Sequence, residues 1–335
     1  MLRLPPLDVL QPEALDGALA ALGAPAPPRV LAGGTDLLVS LKQGHTPGNA
    51  GVLLSIARLP LRGISPGEAR WELGAGTSLA EVTRWAAPGA LAVVPRAAAL
   101  VAAPPLRTRA TVGGNLCLDT RCAFYNQSAF WRSGRPPCHK AGGEVCHAVP
   151  GSPRCHACHQ ADLPPVLIAL GAEVEARGPA GARVFPLEEL YSGDGREPLR
   201  LAASELLTRV LLPLPPPAAG AGYEKLRPRK GLDFPAASAA VYLERSEVGL
   251  CREARIAVGA VGSGPLRVPE AERCLVGSDL GASALEAAAA EARRAARPVK
   301  NADFTPAYRR QVVGTLVARA ARTAWEAAQR GRSES

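Results

Sequence analysis

Aromatic side chains are scarce in this chain: five Phe, five Tyr and four Trp among 335 residues, or 4%. No basic stretch is interleaved with them, so the stacking platforms of a nucleic-acid binder are missing and such a role is not expected. No run approaches the roughly 18 uncharged apolar residues that a membrane helix needs. The opening Met1-Leu-Arg-Leu-Pro-Pro lacks the charged segment and apolar core of a secretory signal. A cytoplasmic protein with no membrane attachment is therefore expected. No nucleophile–base pair and no carboxylate pair has spacing that points to catalysis.

What is present is a globular composition, 47% apolar, and enough length for two domains. The formal charge of +9 reads as solvated Arg-rich faces, or as a surface that attracts an acidic partner or an anionic cofactor. Cysteine carries more information. Six of the eight Cys fall between Cys117 and Cys158. Cytosolic thiols stay reduced, so such a cluster reads as metal binding or redox chemistry rather than disulfides. Cys251 and Cys274 stand alone and read as small buried apolar residues.

Periodicity predicts a helix over 10–24, a strand at 30–32, one helical turn at 37–42, strands at 52–56 and 71–75, and helices at 78–87 and 91–101. Order is lost from Cys117 to Asp162, where a loop of this length needs a functional reason and a bound metal would cross-link it. The stretch 165–176 reads as a helix or apolar turn followed by a strand. A strand at 206–212 precedes the best linker, Leu214 to Gly222, rich in Pro and Gly. Strands at 236–243 and 254–261 and helices at 282–296 and 306–329 complete the chain. No internal repeat is present. The class is α+β rather than doubly wound.

Two glycine turns carry the first functional signal. Val30-Leu31-Ala32 runs into Gly33-Gly34-Thr35-Asp36-Leu37, and Thr111-Val-Gly113-Gly114-Asn115 follows about 80 residues later. Glycine allows positive φ and close backbone approach, and successive N–H groups can cradle a pyrophosphate. One such turn means little. A pair, each with a Thr, points to one extended dinucleotide held by two loops.

This pair resembles the flavoprotein subunits of the xanthine dehydrogenase and carbon monoxide dehydrogenase family, over almost the whole chain. The resemblance implies an FAD-binding domain of PCMH-like type in two parts over 1–218, with a C-terminal α+β domain at 219–335 built from a small antiparallel sheet and helices. It implies FAD contacts at Leu31, Ala32, Gly33, Gly34, Thr35, Asp36 and Leu37, and at Thr111, Gly114 and Asn115. Ala161-Asp162-Leu-Pro-Pro resembles the family's Ser-Asp-Leu-x-Pro segment, which adds Asp162. Tyr223-Glu-Lys225 resembles its Phe-x-Lys, which adds Lys225.

About 40 residues separate the second turn from Asp162, where most of the family has only a few. They hold Cys122, Cys138-His-Lys, Cys146-His and Cys155-His-Ala-Cys158-His, and with them four of the five His. On chemistry alone a structural zinc site and an iron–sulfur cluster both remain open. The string Asn115-Leu-Cys-Leu-Asp-Thr-Arg-Cys122 followed by Tyr125-Asn-Gln-Ser resembles the 4-hydroxybenzoyl-CoA reductase branch, whose flavin subunit carries an extra [4Fe-4S] cluster here. The resemblance implies ligands at Cys122, Cys138, Cys146 and Cys155, with Cys158 able to stand in for Cys155. Cys117, beside the flavin turn, is expected to be buried, and Phe124, Tyr125, Phe130 and Trp131 to form a small core under the loop. It also implies partners: a ferredoxin-type donor, a small subunit with [2Fe-2S] centres and a molybdopterin-binding large subunit, in a dimer of heterotrimers. Electrons would travel from donor to cluster, FAD, [2Fe-2S] centres and molybdenum, where the ring hydroxyl is removed.

Overall fold

The structure is a computed structural model describing residues 2–45, 51–229 and 231–333. A small parallel sheet comes first. Strands β1 (Asp8–Leu10), β2 (Arg29–Leu31) and β3 (Val52–Ser55) lie in the order β1-β3-β2, with helices α1 (Leu15–Leu22) and α2 (Leu37–Lys42) in the crossovers. The expected helix over 10–24 thus begins late. Leu10 pairs with Leu54 in the β1–β3 ladder, and the residue before Pro12 is disfavoured from helical conformation. Gly23 caps the end as expected.

A five-stranded antiparallel sheet follows, with β4 (Ile64–Pro66), β5 (Arg70–Gly74), β6 (Glu173–Gly178), β7 (Gly181–Pro186) and β8 (Leu206–Pro213) in the order β4-β5-β8-β6-β7. Between β5 and β6 run the helices α3 (Leu79–Arg84), α4 (Val93–Ala99), α5 (Pro104–Arg107) and α6 (Val112–Leu116), then α7 (Ala129–Ser133) and α8 (Leu163–Ala169). A capping box between Ser78 and Glu81 starts α3. Leu73, Leu79, Val94, Leu116, Leu167 and Val210 are fully buried in one core that joins this sheet to these helices.

The third unit is an antiparallel sheet of β9 (Ala219–Leu226), β10 (Ala237–Arg245), β11 (Cys251–Gly259) and β12 (Leu266–Arg267), ordered β12-β11-β10-β9. Helices α9 (Pro269–Leu275), α10 (Ala282–Ala295) and α11 (Pro306–Ser333) accompany it. On β10, Ala237, Ala239, Val241 and Leu243 join the core under α9–α11, while Ala240 and Tyr242 join the first core. Side chains alternate across a strand, so β10 is buried on both faces. That explains its apolar run from Ala239 to Leu243.

The expected linker is correspondingly shorter. Gly220 and Gly222 lie inside β9. A Cβ at Gly220 would sit 2.0 Å from the Ala324 carbonyl oxygen, and one at Gly222 would sit 2.2 Å from that of Ala320. Their service is close contact between strand and α11 rather than flexibility, so only the proline run before β9 connects the two parts. Cys251 is buried as expected, whereas Cys274 is only partly covered. No helix among the described residues is long and apolar enough to cross a membrane.

Candidate functional site: two glycine turns and a cysteine-lined loop

The two glycine turns are neighbours. A Cβ on Gly33 would fall 1.8 Å from the Arg109 carbonyl oxygen, so no larger residue allows this approach. Gly34 has φ +71, a conformation that favours glycine. Leu31 through Leu37 are all half-buried. In the second turn, Thr111 caps α6 by accepting a hydrogen bond from the Gly114 N–H at 3.0 Å. Asn115 ends that turn facing α8, and its Oδ1 accepts from the Leu163 N–H at 3.1 Å.

Asp162 immediately precedes α8. Its carboxylate meets Lys225 Nζ at 2.9 Å and accepts from the Tyr223 hydroxyl at 2.7 Å, while Lys225 also donates to the Leu100 carbonyl at 3.0 Å. Burial pushes the Asp162 carboxyl up and the Lys225 amine down; the opposite charge of the partner opposes each shift. Tyr223 and Lys225 share one face of β9, opposite to the face where Gly220 and Gly222 meet α11. The second glycine turn, Asp162 and Lys225 therefore converge, and Gly33 brings the first turn beside them. Tyr223 was legible only as the first member of Tyr-Glu-Lys; its tie to Asp162 needed the fold.

The loop between the turns closes on itself. Arg121 and Cys158 form an antiparallel bridge, with N–H to carbonyl distances of 2.8 and 2.6 Å. A second bridge joins Cys138 to Val145. Inside, Cys122, Cys138, Cys146 and Cys155 line one cavity together with His139, Lys140, His147 and His156. Burial pushes the Cys122 thiol up and that of Cys155 up to about 11. Cys158 does not line this cavity. It is fully buried against the Arg309 guanidinium at 3.7 Å, which separates its role from that of Cys155.

The histidines of the cavity wall already have partners. His139 Nε2 meets the Ser152 carbonyl at 2.9 Å, His147 Nε2 meets the Pro136 carbonyl at 2.9 Å, and His156 Nε2 meets Ser152 Oγ at 2.8 Å. Among the described residues, no three His, Cys, Asp or Glu converge so as to hold a metal ion. The four cysteines line the cavity without forming such a group. Of the expected aromatic core, only Tyr125 is buried; Phe124 is half-buried, and Phe130 on α7 is 89% exposed with Trp131 at 37%. Trp131 instead lies under the Arg135 guanidinium, 3.8 Å from its ring centre.

Arg121 ties the loop to the first turn through an ion pair with Asp36. It stands one residue before Cys122. Its position in the Cys-Leu-Asp-Thr-Arg-Cys string gives no hint of this contact, nor of the burial of Lys140.

Similarity to known proteins follows the same map. Residues 5–215 match the model for the FAD binding domain in molybdopterin dehydrogenase. The chain belongs to this family, as an FAD-binding subunit of the molybdenum hydroxylase and CO dehydrogenase medium-chain type. The flavoprotein's residues 222–324 match the CO dehydrogenase flavoprotein C-terminal domain, so the α+β class and the domain types expected from the glycine turns hold. It is 35% identical over 182 residues to the carbon monoxide dehydrogenase medium chain of Afipia carboxidovorans, a match covering 53% of this chain and 58% of that one. It is 30% identical over 293 residues to the 6-hydroxypseudooxynicotine dehydrogenase complex subunit alpha of Paenarthrobacter nicotinovorans, covering 87% and 84%. A carbon monoxide dehydrogenase structure from Hydrogenophaga pseudoflava superposes with a TM-score of 0.79 at 27% identity, over 97% of this chain and 99% of that one. FAD is thus the cofactor of this oxidoreductase subunit.

Proposed function

We propose that this flavoprotein is the electron-transfer subunit of a molybdenum-dependent 4-hydroxybenzoyl-CoA reductase, and that its loop holds a [4Fe-4S] cluster on Cys122, Cys138, Cys146 and Cys155. One observation carries the reading. Four cysteines spread along the loop line a single cavity, and the loop is tied at Arg121 to the glycine turn of the flavin site. Cysteines that line one cavity without converging on a single point fit a polynuclear cluster, whose irons stand apart, better than one tetrahedral zinc ion. The Nε2 atoms of the cavity histidines are occupied, those of His139 and His147 by backbone carbonyls and that of His156 by the Ser152 hydroxyl, which disfavours a mixed Cys and His zinc site.

When bound, FAD exchanges one or two electrons and a cluster exchanges one, so together they join one-electron carriers to a two-electron reaction. The chain's own part is to hold and orient. We assign the FAD pyrophosphate to Leu31–Leu37, with Thr111, Gly114 and Asn115 beneath it, and Asp162 and Lys225 to the flavin side. The partners we propose are a molybdopterin-binding large subunit, a [2Fe-2S] small subunit and a ferredoxin-type donor, in a dimer of heterotrimers. The domain division follows the proline run, 1–218 and 219–335.

The alternative within the family is an FAD subunit acting on another substrate, and the relatives above are named for different ones. Anaerobic purification with iron, acid-labile sulfide and flavin measured, followed by assay of the complex for benzoyl-CoA formation, separates the readings. In the flavin subunit separated from its partners, iron and sulfide near four each per flavin are expected. Flavin without iron overturns the cluster; cluster with no benzoyl-CoA formed overturns the substrate; zinc in a colourless protein overturns both.

A further inference from the structure

Lys140 is out of place by ordinary standards. Lysine is almost never fully buried unless paired, yet its side chain is 1% exposed. It follows Cys138 by two residues, in the tight turn His139–Ala141, and it lines the cavity shared by the four cysteines. Its ammonium donates to Asp119 Oδ1 at 2.7 Å, to the Thr120 carbonyl at 2.7 Å and hydroxyl at 2.6 Å, and it approaches the Gly195 carbonyl at 3.3 Å. It stands 5.6 Å from the centre of the Tyr125 ring. Asp119 is the one carboxylate among these partners, and its side chain is 45% exposed.

The two charges of this pair are therefore screened unequally. Water solvates the Asp119 carboxylate and weakens its field, whereas the field of the buried ammonium acts through protein. That field reaches the thiol set, because Lys140 and the four cysteines line the same cavity.

We propose that Lys140 sets the reduction potential of the cluster, as a fixed buried cation that favours its electron-rich state. This rests on the [4Fe-4S] reading of the site. Four thiolates give such a centre a net negative charge, and each added electron makes it more negative. In a low-dielectric pocket an adjacent cation offsets that charge, so burial and nearby charge govern the potential. A role confined to fastening Asp119, Thr120 and Gly195 to the loop would leave the potential unchanged as long as the cluster is bound.

The experiment is an anaerobic redox titration of the purified protein with its co-purifying subunits, following the cluster by electron paramagnetic resonance. Lys140→Gln is expected to keep iron and sulfide while the electron affinity of the cluster falls tenfold or more, which is about 59 mV per tenfold for one electron. Lys140→Arg keeps the affinity within threefold. Asp119→Asn moves it in the opposite direction, by less. Full iron with an unmoved midpoint in Lys140→Gln overturns the inference alone. Where the Lys140 variants fail to hold iron, Asp119→Asn decides: a raised midpoint supports the assignment, and an unchanged or lowered one overturns it. A parent flavin subunit that, separated from its partners, holds no iron or sulfide overturns the cluster reading and this inference together.

Discussion

The loop from Arg121 to Cys158 and the unit from Ala219 to the C-terminal helix are held by opposite means. The C-terminal unit is a sheet covered by helices, and its core is Ala, Val, Leu and Ile at close contact. The loop has one short helix, α7, and a 3-10 turn. Hydrogen bonds from His, Ser, Lys and Asn to backbone carbonyls take the place of an apolar interior. Burial stabilises in proportion to area wherever it occurs, whereas a polar staple contributes only about 1 kcal/mol net. The cluster proposed on the four cysteines around one cavity would add a cross-link to these staples.

The largest expected contrast is in cofactor content. Cys138→Ala should abolish loop-bound iron while FAD remains bound and the C-terminal unit keeps its melting behaviour. Metal analysis and flavin absorbance check this, and full iron retention would remove Cys138 from the ligand set. On the other side, Gly222→Val drives a Cβ against the Ala320 carbonyl, and backbone cannot retreat as a side chain does. A loss of about 3 kcal/mol is expected from such overpacking, read by denaturant unfolding; a loss below about 1 kcal/mol would mean that α11 rests on β9 less rigidly than its contacts indicate.

The end of the loop should also be acid-sensitive. His159 is buried with its Nε2 unpartnered, and burial depresses it to about 4. The unfolded chain then binds the proton more readily. Stability is fully present above the ordinary histidine value near 6.5, falls as pH drops toward about 4, and loses up to about 3 kcal/mol. His159→Leu should flatten that acid limb in pH-dependent unfolding. An unchanged limb would place the sensitivity elsewhere. Asn115→Ala is the gentlest test. It leaves the Leu163 N–H unpaired at the buried start of α8, a loss of about 1–2 kcal/mol, with weakened FAD affinity read by flavin fluorescence; a larger effect on iron than on flavin would contradict its placement.

Much of the site was legible as spacing. Gly33-Gly34 and Gly113-Gly114 stood out because few other residues permit such turns, and Gly33 indeed abuts the segment that leads into the second turn. Cys138, Cys146 and Cys155 were legible as thiols in a stretch without periodicity. Gly220 and Gly222 misled because glycine in a linker and glycine under a helix read identically in one dimension. Phe130 misled because an apolar residue in a loop carries no mark of which way it points.

By itself the sequence determined which chemistry was available: glycine where backbones must touch, thiols gathered in one stretch, and alternating apolar residues where a sheet is to be covered. These are properties of single residues and near neighbours. The tertiary structure decided everything that depends on distant chain segments meeting. It set Asp162 against Lys225 and Arg121 against Asp36, placed Cys158 with Arg309 instead of the cavity, and sealed Lys140 beside the thiols. Burial and electrostatic partnership depend on what packs around a group, and that is established only when the chain has folded.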